Sequence, residues 1–390
     1  MVLTEAGALH AGFCYRCVAS GSIGPIDASN GYPPQKERIG EDEMVATKGY
    51  AVQSATTPAA PFAYEHREPG EKDVLIDIRF CGICHSDIHQ ARNEWGNSMY
   101  PMVPGHEIVG TVARVGSKVK KFKVGDIAAV GCMVDSCREC ASCKAGEEQY
   151  CDRGETLWTY NGRDKQGNLT FGGYGDHIVV DEAFVVSVPK NLDPAAAAPL
   201  LCAGITTYSP LKHWGAGPGK KIGVVGLGGL GHMALKFSHA FGAKTVQFTT
   251  SANKVEDAKK LGADEVILTK DPDWHVKHEG TFDFILDCVS APHDVTPYMA
   301  LLKRDSTMCT VGIPESPIQL PAFAVAAGRK SFSGSAIGGI NETQEMLDFC
   351  GEHNIVSDIE MTSFDKVNEA WERVIKGDVK YRFVLDLKTL

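Results

Sequence analysis

The sequence predicts a mixed α/β protein, with a β-rich region followed by a doubly wound parallel sheet. Two patterns carry that expectation. Over residues 74–80 and 108–115 apolar and polar side chains alternate, and Gly or Pro punctuates the flanks, as in half-buried strands. Beyond Leu192 the pattern changes to buried strand, glycine turn and helix, the alternation of an open α/β sheet. Length agrees with both: 390 residues with 43% apolar and 23% charged content usually make two soluble globular domains.

In chain order, residues 1–43 read as a loose extension rich in Gly, Ser, Ala and Pro, and folding is expected to begin near Met44. The extension lacks the basic start and long apolar run of a signal peptide, so a cytoplasmic protein is expected. Cys14 and Cys17 have redox-motif spacing without a strand–helix context and are read as incidental thiols. The β-rich region continues through residues 123–126 and 178–180 to about Pro189. Residues 221–225 are a short buried strand and 226–231 a turn; Met233, Phe237, Ala240 and Phe241 then recur at helical spacing until Gly242. A strand at 245–248, a helix near 255–261, and strands at 265–268 and 282–286 continue the alternation. The segment from about Asn341 mixes helix with a terminal strand at 382–387.

A formal charge of −10 would repel phosphate backbones and anionic membranes, which removes nucleic acid and membrane surfaces from the expected partners. The longest apolar stretch, 195–204, contains Pro199 and is too short to cross a bilayer.

Cys137, Cys140, Cys143 and Cys151 have the spacing that brings four sulfurs to one tetrahedral point. Their segment is short and polar, so a structural zinc replaces the hydrophobic core it lacks. Two disulfides are the alternative. Thirteen cysteines, an odd number, with no export signal argue for a reducing compartment where disulfides do not persist. Cys132, just before this lobe, is read as an ordinary buried thiol.

Gly226-x-Gly228-x-x-Gly231 sits where a buried strand gives way to a helix. A tight structural turn would explain it alone, but the context favours a dinucleotide site. Gly226 allows the turn, Gly228 lets backbone approach a pyrophosphate, and Gly231 permits close helix packing. The N–H groups at the helix start, with Gly229 and Leu230, then face the anion. An NAD site places an acid at the end of the second strand, about 20 residues on. Here Thr249, Thr250, Ser251, Asn253 and Lys254 stand instead, hydroxyls and a cation that suit a 2′-phosphate, so NADP(H) is the expected cofactor. An ordinary polar loop is the competing reading.

Cys84, His106 and Cys202 are ligand types scattered along the chain, and each alone has a bland explanation as a core residue or, for Cys81 and Cys84, a redox pair. Together with their surroundings they resemble a family. Cys-Gly-Ile-Cys-His-Ser-Asp at 81–87, Gly-His-Glu at 105–107, the four-cysteine lobe, Pro-Leu-Leu-Cys-Ala-Gly-Ile-Thr-Thr-Tyr from 199 and the glycine fingerprint follow one another. That order resembles the zinc-dependent medium-chain alcohol dehydrogenases, in the cinnamyl-alcohol-dehydrogenase-like branch with its bacterial broad-range NADP-dependent aldehyde reductases.

The resemblance implies a GroES-like catalytic domain at 44–201 and 341–390 enclosing a Rossmann domain at 202–340. It implies that Cys84, His106 and Cys202 hold a catalytic zinc with an open fourth position, with Glu107 a neighbouring carboxylate that binds metal in some states. Asp87 would orient the zinc histidine. Ser86 and His89 would form a proton relay, His85 would contact the cofactor pyrophosphate, and Thr206 its nicotinamide end. Trp95 and Ile337 would wall a mostly apolar substrate pocket, with Ile337 also beside the cofactor; Trp158 is a weaker candidate. The implied reaction is hydride transfer between NADP(H) and primary alcohols or aldehydes, aromatic and aliphatic, in a homodimer or homotetramer with two zinc ions per chain. A polyol or secondary-alcohol dehydrogenase of the same fold, and a non-catalytic zinc-stabilised dinucleotide-binding module, are the rival readings.

Overall fold

A computed structural model describes residues 44–390. The expected loose extension, Cys14 and Cys17 included, lies outside the described residues. An antiparallel pair, Val45–Ala51 with Ala60–His66, begins the fold. The sequence pattern did not point to it.

The strand pattern at 74–80 belongs to a longer strand, Asp73–Ile83, buried at eight of its eleven positions. It is the spine of a seven-stranded sheet. Ile108–Val115 and Arg382–Asp386 flank it antiparallel, and His177–Asp181 also pairs with its first half. Ile127–Val130, Val186–Ser187 and Ile359–Thr362 complete the sheet. Residues 123–126, expected in a strand, form the turn before Ile127–Val130. The Asp126 carboxylate accepts from Lys123 N at 2.9 Å, a local side-chain-to-backbone bond that competes with strand pairing, and Val124 faces solvent.

The second sheet has six parallel strands. Their order is third, second, first, fourth, fifth, sixth: Glu265–Leu268, Lys244–Thr249, Lys221–Val225, Phe282–Asp287, Leu302–Thr310 and Ser331–Gly334. That order is the doubly wound dinucleotide-binding arrangement, with its crevice at the carboxyl end of the first strand. Both faces are covered, as an all-parallel sheet requires. Val224, Leu286 and Phe237 pack in one apolar cluster, and Val246, Phe248, Phe282 and Met308 in another. Truncating a fully buried phenylalanine such as Phe237 costs about 3–5 kcal/mol. The fifth and sixth strands escaped the sequence reading, since charged residues at 303–305 and small polar ones at 331–334 mask their strand character.

Chain topology brings the site together from three directions. Asp73–Ile83 runs directly into Cys84 and the helix His85–Ala91. His106 and Glu107 immediately precede Ile108–Val115, and Cys202 immediately precedes the helix Ala203–His213. The terminal strand pairs Phe383 with Ile83, which sets Arg382 beside the same corner.

Candidate active site

One potential ligand atom from each of Cys84, His106, Glu107 and Cys202 lies within 4.8 Å of all the others, and all four residues are buried. The Cys84 and Cys202 sulfurs are 3.8 Å apart. Four ligands at about 2.3 Å around a tetrahedral zinc place sulfurs about 3.8 Å apart, so this pair fits that ion. The thiols also behave as a pair: the hydrogen bond with Cys202 holds Cys84 well below the ordinary thiol range, against its burial. Hydrogen bonds with Cys132 and Cys84 hold Cys202 well above that range. A divalent cation between them is what would let both ionise.

Asp87 explains how the corner is held. As the third residue of helix His85–Ala91 its Oδ2 accepts from Cys84 N at 2.9 Å, closing a capping box at the helix start. Its Oδ1 accepts from Gly105 N at 3.1 Å and pairs with His106 Nδ1 at 2.9 Å. An ionised carboxylate only accepts, so His106 carries its proton on Nδ1 and keeps the Nε2 lone pair free for a cation.

Glu107 occupies space that only glycine leaves: a Cβ on Gly82 would stand 1.9 Å from Glu107 Oε2. Its Oε1 accepts from Arg382 Nη2. Oε2 is buried without a hydrogen-bond partner, a spare acceptor at the cluster. Burial pulls Arg382 toward deprotonation, but Glu107 and the sulfurs of Cys84 and Cys202 more than offset it, and the guanidinium stays charged. The sequence reading missed Arg382, which lies 275 residues from its partner. It also set Cys132 aside, whereas that thiol donates to Leu201 O, the carbonyl just before Cys202, at 3.8 Å.

The cluster opens onto a cleft of about 800 Å³. His85, Ser86, His89, Trp95, Thr206 and Ile337 line it, together with Cys84 and Cys202 of the cluster. Gly226, Gly228, Gly229 and Leu230 line the same cleft, with Asn253 and Lys254. The three fingerprint glycines differ as their spacing requires. Gly226 has φ 86°, in the left-handed region, and a Cβ on Gly231 would meet Gly226 O at 2.0 Å. A Cβ on Gly228 would meet nothing within 4 Å, which is the open backbone a pyrophosphate needs. Lys254 Nζ donates to Leu227 O at 2.9 Å, tying the end of the second strand to this turn.

Thr249, Thr250 and Ser251 are not on the cleft wall. Thr249 is buried and its hydroxyl accepts from Ser251 N at 3.2 Å, while Thr250 is exposed just after the strand. Trp158 lies on the short strand Leu157–Trp158 and does not line the cleft either.

The second cluster is separate. Cys137 and Cys143 sulfurs are 3.7 Å apart, Cys140 and Cys151 sulfurs 3.9 Å, and all four lie within 4.8 Å of one another. These spacings again fit a tetrahedral zinc, here with every position filled by sulfur.

Comparison with known proteins decides the family. Residues 70–190 match the alcohol dehydrogenase GroES-like domain, and residues 229–352 match the zinc-binding dehydrogenase domain. The chain is 53% identical over 347 residues to NADP-dependent alcohol dehydrogenase C 1 of Mycolicibacterium smegmatis, covering 89% of this chain and 99% of that one. It is 54% identical over 347 residues to aldehyde reductase YahK of Escherichia coli, covering 88% and 99%. Among solved structures, a cinnamyl alcohol dehydrogenase of Sorghum bicolor superposes with a TM-score of 0.85 at 47% identity, covering 88% of this chain and 98% of that one. This chain belongs to the zinc-dependent medium-chain alcohol dehydrogenases, in the cinnamyl-alcohol-dehydrogenase-like branch.

The cinnamyl alcohol dehydrogenase of Helicobacter pylori, solved with NADP(H), superposes with a TM-score of 0.83 at 41% identity, covering 88% and 99%. As a zinc alcohol dehydrogenase, this chain carries two sites of zinc type, one catalytic in kind and one of four cysteines. Among the described residues no helix is long and apolar enough to cross a membrane.

Proposed function

We propose that this zinc alcohol dehydrogenase works as a broad-range, NADPH-dependent aldehyde reductase on aromatic and aliphatic primary aldehydes, with the corresponding alcohols as products. One observation carries the reading: Cys84 and Cys202 of the Cys84–His106–Cys202 cluster and residues Gly226–Leu230 of the glycine turn line one and the same cleft. In this reading those three residues hold the catalytic zinc, with Glu107 beside it, and Cys137, Cys140, Cys143 and Cys151 hold the structural one.

When bound, the zinc supplies Lewis-acid polarisation of the substrate carbonyl and NADPH supplies the hydride. The protein's residues do the rest. Asp87 fixes the ring of His106. The Ser86 hydroxyl hands a proton to the product oxygen, and His89 replenishes it from solvent. Gly228, Gly229 and the start of helix Gly231–Ala240 cradle the pyrophosphate with His85, and Thr206 and Ile337 flank the nicotinamide. Asn253 and Lys254 on the cleft wall receive the 2′-phosphate, with Thr250 and Ser251 at its rim, while the buried Thr249 shapes that turn through its bond from Ser251 N. Trp95 and Ile337 give the substrate an apolar wall.

The enzyme assembles as a homodimer or homotetramer in the cytoplasm. Support for self-association comes from the sheet edge at Ser331–Gly334 and from Phe323 of helix Ala322–Ala326, which is 85% exposed.

The test is metal analysis of the purified protein beside turnover of a panel of aldehydes and polyols with NADPH and NADH. The expected outcome is two zinc ions per chain and aldehyde reduction about tenfold or more efficient with NADPH. Equal efficiency with both nucleotides, or faster turnover of secondary polyols, would overturn it.

A further inference from the structure

The segment that leaves the fourth parallel strand, Phe282–Asp287, forms part of the cleft wall: Cys288, Val289, Ser290 and Ala291 line the cleft together with the glycine turn. Glycine makes room for this wall on two sides. A Cβ on Gly226 would stand 2.7 Å from Val289 Cγ2, and one on Gly312 would stand 2.2 Å from Val289 O. Asp287, fully buried, ties the segment at its root, where its carbonyl accepts from Val311 N at 2.9 Å and its Oδ1 from Val289 N at 3.1 Å. His293 ties the far end. Its Nδ1 lies 2.9 Å from Ala291 O, and its Nε2 lies 3.2 Å from Asp287 Oδ2. Among the described residues neither Nε2 nor Oδ2 has another partner.

We propose that His293, bridging Asp287 and Ala291, is a positioning residue for NADPH binding, and that its protonated form holds the 288–291 wall in the shape the nucleotide meets. A carbonyl and an ionised carboxylate only accept hydrogen bonds, so the two contacts need a proton on each ring nitrogen, and only the imidazolium carries both. Loss of either proton turns a lone pair onto an oxygen and breaks one tie. Asp287 raises the pKa of His293 above its ordinary 6.5, against the burial of the ring, with Ala291 O and Asp294 adding to the effect. Tyr298 of helix Thr296–Leu301 has its ring centroid 6.3 Å from that of His293, and burial and Asp287 push its pKa up to about 12. Burial holds the thiols beside Asp287 neutral as well, Cys309 pushed up to about 12 and Cys288 well above the ordinary range. Both ties are therefore complete below the raised pKa of His293, and one is lost as pH climbs through it. Nucleotide affinity should fall on the alkaline side.

This inference rests on the reading that the glycine turn binds NADPH, and the experiment separates the two. NADPH binding to the purified protein is titrated by nucleotide fluorescence from about pH 6.5 to about pH 9, for wild type and His293→Gln, a range centred above the ordinary histidine pKa. Proton exchange on binding is measured by calorimetry near pH 8 in two buffers of different ionisation enthalpy. His293→Gln is expected to bind NADPH about tenfold more weakly at the acid end, with the gap closing at the alkaline end as wild type loses its tie. Wild type should take up part of a proton on binding, because a nucleotide that prefers the imidazolium form must favour it in return. Equal affinity in the two proteins overturns the proposal. So does a gap that stays constant with pH, the mark of a structural side chain, or the same proton uptake in His293→Gln. Where the variant does not fold, wild-type calorimetry decides: uptake upholds the proposal and no uptake overturns it. Absence of NADPH binding to wild type removes the nucleotide reading and this inference with it.

Discussion

Arg382 Nη2 donates to the Glu107 carboxylate, and the two side chains are 7% and 0% exposed. This buried pair joins both halves of the active cleft, because a Cβ on Gly229 of the nucleotide turn would stand 2.7 Å from Arg382 Nη1. Removing one partner strands the other as an uncompensated buried charge, which costs about 3–5 kcal/mol. Arg382→Leu should therefore lower the unfolding midpoint strongly, and it should weaken NADPH binding because a cation beside the anion-binding turn is gone. Combining it with Glu107→Gln should restore part of the stability but none of the nucleotide affinity. Thermal melts of both single variants and the double variant, with NADPH titrations, check this; additive losses in stability would contradict the pairing.

Asp87 accepts from three donors at once: Cys84 N, Gly105 N and His106 Nδ1. In Asp87→Asn the amide nitrogen must face at least one of those donors, so one contact becomes repulsive and the His106 ring loses its anchor. Outer partners of a metal ligand are typically worth ten- to a hundredfold in affinity, and a loss of about that size is expected at the catalytic zinc while the four-cysteine zinc stays. Competition with a chromogenic chelator should resolve one weakened site and one unchanged. Two unchanged sites would show that Asp87 does not support the ligand.

The bounds of Ile108–Val115, Lys221–Val225 and Glu265–Leu268 coincide with the expected strands because their apolar periodicity and glycine boundaries are local properties. The four-cysteine lobe was equally accessible, since its ligands lie within fifteen consecutive residues. Cys84, His106 and Cys202 were not accessible from spacing, and only resemblance linked them. Arg382 had no local signal at all. It is one basic residue at the start of a strand, and only the antiparallel pairing of Phe383 with Ile83 makes it a neighbour of Cys84.

Between residues 137 and 151 the buried residues are Cys143 and Cys151 alone. The lobe has no apolar core to fall back on, so its folding free energy is metal-binding free energy. Cys151→Ser should reduce zinc from two ions per chain to one, and the segment should become a site of rapid cleavage under limited proteolysis, with the Rossmann sheet still protected. Peptide mapping of the first cleavage products beside metal analysis is the measurement. A variant that kept both ions, or stayed uncut in the lobe, would contradict this account.

His232 makes acid stability a property of the nucleotide-binding half. Its ring is fully buried, stacks on Tyr381 at 5.1 Å and bonds Ser357 Oγ through Nε2 at 3.0 Å. Burial, reinforced by Lys236 and Arg382, pulls its pKa from 6.5 down to about 3. Burial likewise takes His66 from 6.5 down to about 4. For a histidine held neutral in the fold, the unfolded chain binds the extra proton, so the stability is complete above pH 6.5 and is lost as pH falls toward the folded value. Each such group contributes a slope of up to about 1.4 kcal/mol per pH unit in that window. His177 and His293, whose pKa values are raised by Asp176 and Asp287, work in the opposite sense and set part of the background. A comparison of wild type with His232→Gln cancels that background. The variant, less stable at pH 7.5, should lose stability less steeply from pH 6.5 to 4.5, so the two melting curves converge as the solution is acidified. Parallel curves over that range would mean that His232 is protonated in the folded protein.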